Sequence, residues 1–186
     1  MSRAMDLLYA MAQAFADYMN ASPPFLWSLV AILVGAVPVV MLHEAGHAVA
    51  ARRLLDVDVE VTIGSVGQVA AVQLGRVRAQ LNLLSTGAAS GSARFDAARA
   101  TARDVVLIAL AGPLASLVGV CVTAALMSSA TSGTAWHGLL WGMTGAGAWG
   151  VLNVVPFTLS SRKGDGVTRS DGRLALDALQ AIRAYR

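Results

Sequence analysis

Apolar residues run along the chain in long stretches, and these stretches predict three membrane-crossing helices. The first stretch begins at Phe25 and reaches Ala51. From Val105 to Ser161 there is no Asp, Glu, Lys or Arg, and about 20 apolar residues are enough for one crossing. Small and polar residues at 128–138 divide this second region by a turn. We therefore expect spans at about residues 25–51, 105–127 and 139–157.

The segment between the first two spans follows a different period. From Val57 to Ile63, apolar residues alternate with polar ones, which is the period of a β-strand. The alternation returns at 76–84, after a glycine-containing turn. We expect a small antiparallel β meander over residues 57–84, then a flexible loop at 85–93. A helix starting near Phe95 is expected to lead into the second span.

The two ends of the chain predict amphipathic helices. Residues 1–24 place apolar side chains roughly on one helical face, but their uncharged run is too short to span, so we expect a surface helix. A signal peptide fits less well because Asp6 interrupts its start. Residues 171–185 form a second amphipathic pattern. The predicted fold is a polytopic α-helical membrane protein, with one domain over 25–186 and the meander on its cytoplasmic side.

Composition supports the membrane interpretation. The chain has 186 residues, of which 56% are hydrophobic and 13% charged, whereas soluble domains carry roughly a quarter charged residues. A single cysteine, Cys121, excludes a disulfide-stapled scaffold. The basic residues behind the net charge of +3 flank the apolar runs, so the expected partner is a lipid bilayer and not a nucleic acid.

The positions of the basic residues predict the orientation. One Lys or Arg precedes the first span and none lies in the turn between the second and third spans, whereas six follow the third span. The segment between the first and second spans carries seven: Arg52, Arg53, Arg76, Arg78, Arg94, Arg99 and Arg103. The meander and the C-terminus should therefore be cytoplasmic. Trp27 and Trp136 then lie at the outer ends of spans, where interfacial aromatic residues are common.

The polar residues His43, Glu44 and His47 lie inside the first span. Histidines four apart share one helix face and can reach one metal ion, and Glu44 beside them can act as general base toward water. Zinc accepts such ligands but needs a third one from the protein. Alternatively, these residues are a polar cluster at the membrane interface with no metal-binding or catalytic role. An ionisable residue within a span costs roughly 2.5–3.5 kcal/mol on insertion scales, which favours a function.

The third ligand should come from the cytoplasmic edge, where the third span ends. Two carboxylates follow that span, Asp165 and Asp171. Asp171 precedes the C-terminal helix, and capping that helix is its structural alternative role. The remaining histidine, His137, falls in the outer turn and is expected to be solvated at the interface.

Four motifs carry a family resemblance. They are HEAGH at 43–47, AGPLASL at 111–117, LNVVPF at 152–157 and DG at 171–172. These motifs occur in this order over nearly the whole chain. In this respect the sequence resembles the site-2 protease family of intramembrane zinc metalloproteases. The resemblance implies that His43, His47 and Asp171 bind one zinc ion per chain. It also implies that Glu44 is the catalytic base and that Asn153 helps to hold the substrate.

The sequence departs from the family pattern in one place. The aspartate of many members follows the Asn-x-x-Pro motif closely, whereas Asn153 and Asp171 are 18 positions apart. An insert rich in Gly, Ser and basic residues separates them at 158–170. Asp165 is nearer but lies within that insert, so the start of a helix favours Asp171 as the ligand.

The resemblance also implies an activity and a location. The expected reaction is hydrolysis of a peptide bond in or beside a transmembrane segment of a membrane-protein substrate, as in regulated intramembrane proteolysis. The expected setting is multi-pass insertion in a prokaryotic cytoplasmic membrane, with the active site near the cytoplasmic face and a membrane partner as regulator. An exposed strand edge of the meander at 57–84 is expected either to capture the peptide or to serve only as a structural cap. The alternative function is a proteolytically inactive membrane scaffold or regulator on the same fold.

Overall fold

The computed structural model describes residues 25–64, 66–83, 91–130, 135–160 and 167–184, together with Gln13. The helices are α1 (Phe25–Leu55), α2 (Ala102–Met127), α3 (Ala135–Leu152) and α4 (Asp171–Ala184). The strands are β1 (Val59–Ile63), β2 (Val66–Leu74), β3 (Val77–Leu83), β4 (Gly91–Phe95), β5 (Thr158–Ser160) and β6 (Val167–Arg169). The surface helix predicted for residues 1–24 lies outside the described residues, Gln13 excepted.

Two of these helices are long and apolar enough to cross a membrane. By length and composition they are α1, over Ile32–Leu55, and α2, over Ala102–Met127. The third predicted span corresponds to α3, an uncharged helix of 18 residues. It ends at Leu152 and not near residue 157, because Pro156 disfavours helical geometry in the residue before it.

The first helix continues four residues past the predicted end of its span and stops at a residue with left-handed backbone. Asp56 has φ 53°, a conformation that Asp tolerates better than most residues. Its carboxylate pairs with the Arg52 guanidinium one turn back and, at 3.2 Å, with Arg76 from the β2–β3 turn. These pairs join the C-terminal end of α1 to the sheet.

The four-stranded sheet has the order β2-β3-β1-β4, so the predicted antiparallel meander is wrong in its pairing. β2 and β3 form an antiparallel hairpin, but β1 lies parallel to β3. Alternation along the chain predicts that a strand forms, but it does not specify which neighbour the strand pairs with. β1 occupies an inner position because Val59, Val61 and Ile63 are all buried.

Two predicted loops contain strands. Residues 91–95, partly in the expected loop at 85–93, form β4, which pairs antiparallel with β1. The insert after the third predicted span contributes β5 and β6, which pair with each other. The helix expected from Phe95 begins only at Ala102, where Thr101 and Asp104 form a capping box.

The packing of these elements brings the motif residues together. Each of α1, α2 and α3 packs against the other two, and α4 packs against α2. The sheet lies against the C-terminal half of α1, where β1 packs with Ala48 and Ala51 of α1 and Ile108 of α2. The start of α4 is thereby held next to the HEAGH segment.

Candidate metal centre

Two histidines on one face of α1 form the base of the site. His43 and His47 are one turn apart, both are buried, and their Nε2 atoms lie 3.2 Å from each other. This is the arrangement that the four-residue spacing predicts for two ligands of one ion.

The third member of the cluster is Asp171, which lies 128 positions from His43 in the chain. Its Oδ2 atom is 3.1 Å from His43 Nε2 and 3.4 Å from His47 Nε2. Asp171 is the first residue of α4, and Ser170 caps this helix by accepting the Arg173 amide at 3.1 Å. The capping role considered for Asp171 therefore belongs to its neighbour, which leaves the Asp171 carboxylate directed to the histidines.

The donor set fits a zinc ion. Tetrahedral zinc with ligand bonds of about 2.0–2.1 Å places its ligand atoms about 3.3 Å apart, and the three separations here are 3.1, 3.2 and 3.4 Å. Three groups that can each offer a lone pair converge on one point. A cation at that point satisfies all of them at once.

Contacts on the far side of each imidazole direct the Nε2 lone pairs inward. His47 Nδ1 donates to the Ile108 carbonyl at 2.7 Å, so in the neutral ring Nε2 is the acceptor. His43 Nδ1 is 2.8 Å from the hydroxyl of Ser116, which is fully buried. Such contacts fix ring orientation and tautomer at metal sites. Sequence reasoning missed both partners, although Ser116 lies within the AGPLASL motif.

Glycine makes room for the cluster in helix α2. A side chain at Gly112 would collide with the His47 imidazole, and one at Gly46 would come within 2.5 Å of the Ala111 carbonyl oxygen. These two glycines let α1 and α2 approach closely enough for Ile108 and Ser116 to reach the histidine rings. The glycine of AGPLASL therefore has a direct steric role.

Glu44 is buried beside the histidines and faces strand β4. The Ala93 backbone amide donates a hydrogen bond to its carboxylate, and a side chain at Gly91 would come within 2.6 Å of Glu44 Cγ. A cavity of about 450 Å³ lies over the cluster, between β4 and the start of α4. Glu44 therefore borders a space that is large enough for a peptide.

Asn153 contacts Asp171 directly. Its Nδ2 donates to Asp171 Oδ2 at 2.7 Å. Burial raises the pKa of the Asp171 carboxyl, but its close contacts with the imidazoles of His43 and His47 outweigh this effect and lower that pKa to about 2. The Asp171 side chain is therefore a carboxylate at neutral pH, as a metal ligand must be.

Two residues considered from sequence are not in this cluster. Asp165 lies outside the described residues. His137 lies in the first turn of α3 and is buried, not solvated as expected, and its Nε2 accepts from the Trp141 indole at 3.0 Å. Among the described residues, the group that could hold a metal is His43, His47 and Asp171.

Comparison with known proteins identifies the family. The sequence model of peptidase family M50 matches residues 30–182, which include all four motifs. A search of curated proteins finds no significant match. Members of this family are zinc-dependent metallopeptidases, in agreement with the donor set. The chain therefore belongs to peptidase family M50, the site-2 protease family.

Proposed function

We propose that this protein is an intramembrane zinc endopeptidase that cleaves membrane-protein substrates in or beside a transmembrane segment. One observation carries the proposal: Glu44 is buried next to three converging ligand atoms in a helix long enough to cross a membrane. His43, His47 and Asp171 would hold one zinc ion per chain. The larger cavity over the cluster is the proposed place of the scissile peptide.

The chemistry of this site is peptide hydrolysis with Glu44 as general base. Zinc, when bound, supplies Lewis acidity that polarises the scissile carbonyl and makes water easier to deprotonate. Glu44 takes a proton from the attacking water while the water oxygen bonds to the carbonyl carbon. Glu44 then delivers that proton to the amide nitrogen as the C–N bond breaks. Asn153 holds Asp171 in place through its Nδ2, and its side-chain oxygen Oδ1 would accept a hydrogen bond from the substrate.

The membrane arrangement proposed here has three spans, formed by α1, α2 and α3. The uncharged α3 supports this count because it packs against both longer helices. Arginines cluster on the sheet and α4 side of the molecule, which supports a cytoplasmic position for the active site of a multi-pass protein. We propose the cytoplasmic membrane of a prokaryote as its location, and regulated proteolysis with a membrane partner as its context.

Substrate capture is proposed at the free edge of β4. A peptide bond inside a helix is protected by internal hydrogen bonds, so the substrate must become extended before cleavage. β4 is the last strand of the sheet, and the Ala93 amide points away from β1 toward Glu44. An extended peptide that adds to this edge would cross the metal centre. The edge proposed here lies at 91–95, whereas the sequence led us to expect such an edge within 57–84.

The test is cleavage of single-span membrane proteins co-reconstituted with the purified enzyme in liposomes. Glu44→Gln should keep about one zinc per chain and lose roughly 10²–10⁴-fold in cleavage rate, the usual range for a general base. His47→Ala should lose zinc and cleavage together. Full cleavage by zinc-loaded Glu44→Gln would contradict the role given to Glu44.

A further inference from the structure

A second cavity adjoins the metal centre on its membrane side. It measures about 160 Å³ and is lined by α1 and α3 residues around Val39, Val40, Ala146 and Trp149. Val39 and Val40 precede His43 by about one helical turn, so this cavity lies deeper in the membrane than the metal centre.

The two cavities share part of their walls. His43, Glu44, Gly91 and Asn153 line both. The larger cavity extends along β4 from Gly91 to Phe95, whereas the smaller one borders β4 only at Gly91. A peptide lying along β4 therefore reaches the smaller cavity at the Gly91 end, directly beside Glu44. Because side chains of an extended peptide alternate in direction, one residue at that point faces the cavity.

We propose that this smaller cavity is the subsite for the substrate side chain next to the scissile bond, and that Ala146 and Trp149 set its size. The inference rests on the proposed peptidase function. Each polar residue of the lining belongs to the metal cluster or contacts it: His43 and Glu44 lie in it, Ser116 contacts His43, and Asn153 donates to Asp171. Val39, Val40, Ala146 and Trp149 provide the remaining, apolar wall. The side chain it accepts is therefore apolar.

The volume limits the side chain that fits. A cavity on the order of 150 Å³ holds a benzene molecule, so about 160 Å³ fits Leu or Phe more closely than the larger indole of Trp. Trp149 forms the outer wall while 71% of its surface stays exposed. Removing its indole should therefore enlarge the subsite without unfolding the helix.

The experiment is cleavage-site profiling with a mixture of denatured, amine-blocked proteome peptides in detergent. New termini are sequenced by mass spectrometry for wild type, Trp149→Ala and Ala146→Leu, each checked for equal zinc content. Trp136→Ala is the matched control, because Trp136 is also exposed on α3, at the opposite end of the helix.

Wild type should select Leu and Phe over Trp at one position flanking the cut. Trp149→Ala should admit Trp there, and Ala146→Leu should reduce Leu and Phe relative to Ala by at least about 10-fold, since one methylene in an apolar pocket discriminates by roughly 10–200-fold. Trp136→Ala should keep the wild-type profile. Unchanged profiles in Trp149→Ala and Ala146→Leu would rule out the proposed subsite without contradicting the proposed peptidase function. An equal loss of cleavage rate for all residues at the flanking position would do the same. No zinc-dependent cleavage by wild type would instead overturn the proposed function.

Discussion

The imidazole of His47 occupies the space that a side chain at Gly112 would fill. A methyl group added at Gly112 would meet the His47 ring atoms well inside contact distance. A side chain at Gly46 of α1 would likewise collide with the α2 backbone at Ala111, so the two helices pack closely at both positions. The metal centre therefore depends on the absence of a side chain in a second helix as much as on its ligands.

Gly112→Ala should consequently weaken zinc binding although none of the proposed ligands is changed. Displacing His47 should reduce zinc affinity by at least the 10–100-fold that loss of a supporting contact costs. Competition with a chromogenic chelator measures this affinity. Gly145→Ala is the control, since nothing lies within 4 Å of an added Cβ at that position. A wild-type zinc affinity in Gly112→Ala would contradict this prediction and show that α2 can shift to accommodate the added methyl group.

Ser116→Ala should weaken zinc binding by roughly 10–100-fold, because His43 would lose the hydroxyl that orients its ring. The substitution removes one oxygen from a fully buried position and leaves the helix otherwise unchanged. Ser128→Ala, an exposed position at the end of the same helix, should leave the affinity unchanged. Equal affinities for the two variants would exclude the contribution of Ser116.

Asn153→Ala separates two roles for this residue. The hydrogen bond to Asp171 predicts a loss of zinc affinity, again roughly 10–100-fold, in the absence of any substrate. A residue that only holds the substrate would change KM and leave the metal affinity at its wild-type value. Isothermal titration of the metal-free protein with zinc distinguishes the two outcomes.

Metal removal should lower the unfolding temperature in detergent. Zinc binding joins α1 to α4 through groups far apart in the chain, and a ligand present at 100 times its Kd stabilises the native state by about 2.7 kcal/mol. Scanning fluorimetry with and without a chelator measures the shift, and addition of zinc should restore it. His47→Ala should show no such shift. A chelator effect of the same size in that variant would assign the stabilisation to another site.

The local parts of this molecule could be predicted from sequence. Long uncharged runs identify α1 and α2, and the spacing of His43 and His47 places two ligands on one helix face. The position of Asp171 before an amphipathic helix made it the better of two carboxylates, and the structure places it against both histidines. In each case the information lies within a few neighbouring residues.

Long-range features could not be predicted in the same way. The segment GSARF has weak strand character, and it forms β4 because it pairs with β1 and packs against Glu44. The alternation of apolar and polar residues in β1 and β3 does not indicate that the two strands pair in parallel. Ser116 and Gly112 resemble ordinary small residues of an apolar helix until α1 packs beside them.

If His43, His47 and Asp171 together hold one zinc ion, the zinc content per chain should depend on each of them. Wild type, His47→Ala, Asp171→Ala and Asp165→Ala would be purified in detergent and measured by atomic emission, with folding checked by circular dichroism. We expect about one zinc per chain in wild type and in Asp165→Ala, and almost none in His47→Ala and Asp171→Ala. A folded wild type without zinc, or an Asp171→Ala variant that keeps it, would contradict the assignment.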